Sequence, residues 1–242
     1  MKIQFTLSIL AFSLILAPIS AMAQDEEEDY GWSGKGEFGL VSTSGNSDTN
    51  SLNLALEFIY DSEQWTHRLS AGAINADSDG ETTAERYDFG AQSDYNLSEK
   101  SYVFGAFRYE KDDFSAFEDQ TTLTAGYGRQ VLDNDKHKLK LEAGVGYRTA
   151  SLAPSGESED GAIARGLLDY IWQLTPNTEL SERFLVEAGS DNTYIQNDLG
   201  LKVSINERFA LSLGFQVRQN TDVPEGVDKT DTLTSANLVY SF

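Results

Sequence analysis

Residues 51–60, SLNLALEFIY, carry a large apolar side chain at every second position from Leu52 to Tyr60. Successive side chains of a β-strand point to opposite faces, so this spacing gathers the apolar groups on one face. The same period recurs in HKLKLEAGVGYR (137–148) and ALSLGFQVRQ (210–219), and no window of similar length shows a helical spacing. The sequence therefore predicts an all-β fold.

The connections between the predicted strands alternate between long and short along the chain. The long ones include ADSDGET (76–82) and QNTDVPEGVDKT (219–230), and the short ones include SEK (98–100) and TPN (175–177). Tight turns at one rim and longer loops at the other are typical of an antiparallel up-and-down transmembrane β-barrel, with the turns in the periplasm. We therefore predict a barrel of twelve strands near residues 31–42, 50–60, 65–75, 83–97, 101–110, 119–132, 137–149, 162–174, 178–189, 194–205, 208–218 and 231–242.

A soluble β-sandwich or a lipocalin-like barrel would show the same alternation with its apolar face turned toward a core. The membrane barrel is favoured because the apolar positions alternate with charges, which suits a lipid-facing exterior around a polar interior. The chain also ends in SANLVYSF (235–242), in which Tyr240 and Phe242 are expected to act as the barrel-assembly signal. Aromatic residues near the predicted strand ends are expected to form interface girdles: Trp32, Tyr60, Trp65, Tyr95, Tyr102, Tyr170, Trp172, Tyr194, Tyr240 and Phe242.

The amino-terminal segment has the pattern of a cleaved signal peptide over residues 1–23. Lys2 is followed by an apolar run and by the small residues Ala21 and Ala23, which fit a cleavage site. An acidic tail (24–30) then precedes the barrel (31–242), so we expect export to the outer membrane of a Gram-negative cell.

The charge of the chain excludes one class of partner. Removing the signal, which holds one lysine and no acid, takes the formal charge from −21 to −22. Nucleic acid is excluded because phosphate contacts need clustered basic residues. The expected partners are outer-membrane lipids, lipopolysaccharide, the barrel-assembly machinery and divalent cations at the acidic loops, and the barrel is expected to be a monomer.

Charged residues of the polar strand face are predicted to line the lumen, because a charge on the lipid face costs about 2–4 kcal/mol near the midplane. Basic and acidic members nearly balance, which leaves two alternatives: a barrel plugged by ion pairs, or a narrow aqueous path. The candidate lumen-lining residues are Lys35, Glu37, Glu57, Arg86, Asp88, Arg108, Glu110, Lys140, Glu142, Arg148, Arg165, Asp169, Lys202 and Arg218, and Arg68, Asp94, Lys138, Arg183, Glu187 and Asp198 share their parity.

Catalytic and cofactor sites find little support in the sequence. An outer-membrane hydrolase with a site at the outer rim is the alternative function, but His67 and His137 both follow short turns at the other rim. The absence of cysteine excludes a thiolate metal site, and we predict no cofactor. GKGEFG (34–39) matches a dinucleotide-binding pattern, but no helix follows it, and we expect these glycines at the seam where the first strand meets the last.

Two stretches resemble a known family. GWSGKGEFGLVSTSGNSDTNSLNLALEFIYDSEQWTHRLSAGA (31–73) and YVFGAFRYEKDDF (102–114) are similar to the YdiY-like family of outer-membrane proteins described as salt-induced. The resemblance extends over the whole mature chain and implies an outer-membrane barrel linked to salt or osmotic stress. Since the family is largely a domain of unknown function, it implies no catalytic residue.

Overall fold

The computed structural model describes residues 30–43, 49–153 and 155–242, and within them twelve antiparallel strands form one closed barrel. The predicted signal peptide and all of the predicted acidic tail except Tyr30 lie outside the described residues. The strands are β1 (Gly31–Thr43), β2 (Thr49–Asp61), β3 (Trp65–Ser78), β4 (Glu81–Ser98), β5 (Ser101–Asp112), β6 (Phe117–Asp133), β7 (His137–Leu152), β8 (Ser158–Thr175), β9 (Thr178–Ala188), β10 (Thr193–Ser204), β11 (Phe209–Asn220) and β12 (Thr230–Ser241).

Each strand pairs with its neighbours in sequence, and β1 closes the barrel by pairing with β12. This confirms the predicted strand number and meander. The seam is short, with Lys35 to Phe38 of β1 opposite Ser241 to Leu238 of β12. Gly34 extends it by exchanging two backbone hydrogen bonds with Phe242, of 2.8 and 3.0 Å. A Cβ atom on Gly34 would lie 2.7 Å from the Phe242 ring, so the glycine allows this close approach.

The apolar face of each strand is on the outside of the barrel. Leu56, Phe38 and Leu213 are about half exposed, whereas many buried side chains are polar or charged. A soluble sandwich or lipocalin-like barrel would turn its apolar face inward, so this inverted distribution is that of a barrel with a lipid-facing wall. No helix in the described part of the chain is long and apolar enough to cross a membrane.

The two ends of the barrel differ. The turn end holds the connections 62–64, 99–100, 134–136, 176–177 and 205–208, and the loop end holds the other connections. The strands reach further toward the loop end than the sequence predicts. The predicted loop ADSDGET (76–82) is therefore mostly strand around a two-residue turn, in which Asp79 and Gly80 both have positive φ, as in type I′ hairpins.

Most of the predicted girdle aromatics form an outer belt at the turn end. The ring centroids of Trp32 and Tyr60 are 5.0 Å apart, and those of Trp65 and Tyr95 are 4.9 Å apart. Two members of the prediction are wrong, because Tyr102 and Tyr194 point into the barrel and are buried. Both occupy positions in their strands whose side chains point inward. The alternation of side chains therefore decides where these rings lie, and closeness to a strand end does not.

Candidate functional site

The loop-side half of the lumen is crossed by ion pairs between opposite walls. Arg218 on β11 binds Glu110 on β5, and five strands separate these two strands in either direction around the barrel. The same guanidinium reaches Asp112 at 3.0 Å and donates through Nε to the Tyr194 hydroxyl at 3.1 Å. Arg218 is only 4% exposed, so its charge is held by these partners and not by bulk water.

A second crossing joins β5 to β9. Arg108 Nη2 lies 2.5 Å from Glu187 Oε2, and Arg108 Nη1 lies 3.8 Å from Glu110 Oε2. The Arg108 guanidinium also stacks over the ring of Tyr194, 4.8 Å from its centroid. Arg108 therefore contacts Glu110 on its own strand and Glu187 on β9, and its stacking on the Tyr194 ring limits its movement.

Glu142 on β7 is the centre of a third cluster. It accepts hydrogen bonds from Arg165 at 2.5 Å, from the Tyr102 hydroxyl at 2.8 Å and from Gln92 at 2.9 Å. The Arg165 guanidinium lies 4.7 Å from the centroid of the Phe104 ring. These contacts join side chains of β4, β5, β7 and β8.

A vestibule of about 670 Å³ occupies the turn-side half of the barrel. Its ion pairs lie within one strand or between neighbouring strands and are more exposed than those of the loop-side half. Lys35 lies 3.5 Å from Glu37 and 3.8 Å from Glu57. The wall also contains Lys140 and a pair of 3.2 Å between Arg183 and Asp169, and the Lys202–Glu179 pair of 3.0 Å lies in the same half.

A hydrogen bond across the lumen lies where this vestibule borders a cavity of about 240 Å³ at the loop end. Arg86 Nη1 on β4 donates to Gln216 Oε1 on β11 at 3.0 Å. Both side chains line the vestibule, the loop-end cavity and a third cavity of about 230 Å³ between them. The three spaces therefore meet at one pair of side chains.

The loop between β11 and β12 (221–229), here called the strap, extends across the loop end. Its Val223 and Val227 pack against the cluster of Ala116, Phe117 and Ala150 on the opposite wall. At its base, Asn192 Nδ2 donates to Asn220 Oδ1 at 2.7 Å, and Asn192 Oδ1 accepts from the backbone of Asp222 at 3.1 Å. The strap thus covers part of the mouth and is fixed at both walls.

The structure places the candidate lumen residues at two levels. The buried crossings and the cavity between them contain Arg86, Asp88, Arg108, Glu110, Glu142, Arg165 and Arg218, and the vestibule wall contains Lys35, Glu37, Glu57, Lys140 and Asp169. Lys202 pairs with Glu179 of the vestibule wall. Arg148 stands apart beneath the loops, where its Nη2 donates to the Asn192 carbonyl at 3.2 Å.

Sequence reasoning overlooked the uncharged partners Gln92, Gln216, Asn192 and Tyr194. Gln216 and Tyr194 have the same parity as the charged lumen residues of their strands, so the alternation itself was a signal for them. Asn192 lies between strands, and only the folded loops bring it beside Asn220 and Arg148.

The two histidines lie in the aromatic belt at the turn end. His67 stacks on Trp65 with ring centroids 5.5 Å apart, and His137 Nδ1 is 2.8 Å from the Tyr170 hydroxyl. Within residues 30–43, 49–153 and 155–242, no group of three or more His, Asp or Glu is placed to hold a metal ion. The described residues thus bring no histidine toward the loop end.

Comparison with known proteins assigns the family. The model of the family described as "Protein of unknown function, DUF481" matches residues 36–242. The chain belongs to this family. It is also 31% identical over 205 residues to "Uncharacterized protein YdiY" of Escherichia coli (strain K12), a match that covers 84% of this chain and 80% of that protein.

A solved structure supports the architecture. The COG4313 outer membrane channel from Pseudomonas putida F1 is similar with a TM-score of 0.53 at 13% identity, over 90% of this chain and 100% of that one. The translocator domain of the autotransporter NalP from Neisseria meningitidis is similar with a TM-score of 0.49 at 12% identity, over 90% of each chain. At this identity the first likeness establishes the barrel fold alone.

Proposed function

We propose that this protein is a narrow, passive channel of the bacterial outer membrane, with its turn end in the periplasm and its loop end outside the cell. The observation that carries the proposal is that the three lumen cavities meet at Arg86 and Gln216. A side-chain hydrogen bond of 3.0 Å joins these two residues where the vestibule borders the loop-end cavity. Side chains change rotamer on the ps–ns timescale when exposed, whereas a backbone plug would need a larger rearrangement.

A structural barrel with a closed lumen is the second candidate. The buried contact between Arg218 and Glu110 favours it, because two opposite walls are joined there without intervening water. The interior of an eight-stranded barrel is filled by side chains and barrels of sixteen strands conduct, so twelve strands lie between these cases. No observation on the described residues of the loop end favours a hydrolase, and we propose that the protein is not an enzyme.

Thiol modification of single-cysteine variants tests the path directly. The sequence has no cysteine, so Gln216→Cys introduces one defined target at the meeting point of the cavities. Phe215→Cys is the matched control, because the neighbouring side chain is on the outer wall and is 45% exposed there. After refolding and insertion into a planar bilayer, a water-soluble anionic thiosulfonate should reduce the current of Gln216→Cys and leave that of Phe215→Cys unchanged.

The results distinguish the two candidates. Absence of single-channel steps from the parent chain and from Gln216→Cys, with correct folding shown by heat-modifiable gel migration, would establish the closed barrel. Equal effects of the reagent on both variants would mean that the current does not pass Gln216.

The cellular setting is part of the same proposal. The apolar outer wall fits outer-membrane lipid with lipopolysaccharide, a signal peptide over residues 1–23 would direct export, and Tyr240 and Phe242 would be read by the assembly machinery. Fractionation of the membranes tests the location. The resemblance to salt-induced proteins supports a role in osmotic stress, and protein levels in cells grown at low and high sodium chloride test that role separately.

A further inference from the structure

The cavity of about 230 Å³ between the vestibule and the loop-end cavity is rich in arginine. Its lining contains six arginines and three carboxylates, a formal excess of three positive charges. The six arginines are Arg68, Arg86, Arg108, Arg165, Arg183 and Arg218. Three of these arginines pair with carboxylates outside the lining: Arg68 with Glu57 at 3.9 Å, Arg165 with Glu142 at 2.5 Å and Arg183 with Asp169 at 3.2 Å. These pairs offset the excess, so the donors that are open to a ligand are those of Arg86 and Arg108.

The carboxylates do not satisfy all of these arginines. Arg218 binds Glu110, and Arg108 binds Glu187, but none of the described carboxylates forms an ion pair with Arg86. The Nε atom of Arg86 and the Nε and Nη1 atoms of Arg108 are buried without a hydrogen-bond partner. Unpaired buried donors are costly and rare in native proteins, so these atoms call for an explanation.

An oxyanion supplies what the cavity lacks. The planar guanidinium group matches carboxylate and phosphate geometry and carries no acceptor, so cations gain nothing from these side chains. A volume of about 230 Å³ admits a small anion with some of its water. The contact between Arg108 and the Tyr194 ring at 4.8 Å holds one wall of the cavity in place.

We propose that this cavity binds a small oxyanion, a carboxylate or a phosphate, and makes the barrel selective for anions. The predicted selectivity rests on the proposed channel function, whereas the predicted binding site does not depend on it. The binding site and the selectivity are therefore tested by different measurements on the refolded chain.

Selectivity is measured as the reversal potential across a bilayer under a tenfold gradient of potassium chloride. Ideal selectivity corresponds to about 59 mV, with a sign that distinguishes anions from cations. We expect the anion sign for the parent chain, a smaller value for Arg86→Gln, and no change for Arg208→Gln, the control in an exposed turn at the other end. A cation sign, or a value that Arg86→Gln does not move, would overturn the selectivity.

Binding is measured without current, by calorimetric titration of potassium phosphate, and separately of potassium acetate, into the detergent-refolded barrel at low chloride. Loss of one charge-assisted hydrogen bond should weaken binding of the better probe by about tenfold or more in Arg86→Gln, with Arg208→Gln unaffected. Should Arg86→Gln fail to give the heat-modifiable folded band, Arg86→Lys replaces it, because it keeps the charge and removes the fork of donors.

The outcomes separate the inference from the channel. Arginine-dependent binding of either anion supports the site even if no current is found, in which case the channel function alone fails. Neither anion binding, or both binding equally to the parent chain and to the Arg86 variant, would refute the site, even in a protein that conducts.

Discussion

The crossing between Arg218 and Glu110 can be tested by removing one of its charges. Arg218→Met keeps most of the side-chain length and leaves Glu110 and Asp112 facing the lumen without their shared cation. Both the stability of the barrel and the width of the path should change, because this side chain joins two opposite walls.

The size of the effect follows from the contacts. Arg218 is 4% exposed and makes two charge-assisted contacts with carboxylates, each worth about 1.5–3 kcal/mol. Removal of one partner from a buried ion pair typically costs about 3–5 kcal/mol, because it strands the other charge. We therefore expect the free energy of unfolding to fall by about 3–5 kcal/mol and the single-channel conductance to rise.

The assay is equilibrium unfolding of the lipid-refolded barrel in guanidinium chloride, extrapolated to zero denaturant. Lys202→Met is the matched control, because it breaks the Glu179 pair of 3.0 Å with a lysine that is 41% exposed. Solvent screens such a pair, so its loss should cost less than about 1 kcal/mol. The double variant Glu110→Gln/Arg218→Met should recover a large part of the loss, since the stranded carboxylate is then neutral.

Two results would refute this reasoning. If Arg218→Met were no more destabilising than Lys202→Met, the crossing would behave as a solvated pair and the lumen at this level would be wet. If the double variant were no more stable than Arg218→Met alone, the stability loss would come from packing and not from a stranded charge.

Three further predictions concern the strap, the carboxylate cluster and the carboxyl terminus. Val223→Ser/Val227→Ser removes the apolar contact with the opposite wall, so the open probability should rise in bilayer recordings, and an unchanged record would mean that the strap does not limit the current. Glu142→Gln leaves the buried Arg165 without a carboxylate and should lower the free energy of unfolding by about 3 kcal/mol; a loss below about 1 kcal/mol would contradict it. Deletion of Phe242 removes two backbone hydrogen bonds at the seam and should reduce the folded fraction in a heat-modifiability assay, an expectation that fails if the yield is equal.

The fold follows from the sequence because the deciding signals are local. A period of two in side-chain character, with turn residues between the strands, requires no knowledge of distant residues. The strands predicted to end at 75 and 149 and to begin at 83 and 162 are longer in the structure, where they reach Ser78, Leu152, Glu81 and Ser158. Strands that extend beyond a membrane band face water on the outside, so their polar residues resemble those of loops.

The site depends on relations that the sequence does not contain. Alternation indicates that Arg218 and Glu110 point inward, but these residues are 108 positions apart, and their meeting depends on the tilt and stagger of twelve strands. Val223 and Val227 lie in an acidic loop, where no alternation in the sequence tells which way their side chains point. Two valines in such a segment indicate that the strap contacts another surface, but they do not identify that surface.

Salt should act differently on the two sets of charges in this barrel. Acidic residues of the loop end are exposed, among them Asp113, Asp160 and Asp222, whereas the arginine cavity lies inside the wall. The screening length falls from about 10 Å at 0.1 M to about 3 Å at 1 M, and buried charges are screened less than exposed ones. At low salt the acidic residues of the loop end attract cations to the mouth, which opposes the proposed anion preference of the arginine-lined cavity. At a constant tenfold gradient, the reversal potential should therefore move toward the anion value as the mean salt concentration rises. A selectivity that only declines with salt would show that the acidic residues of the loop end have no influence on entry.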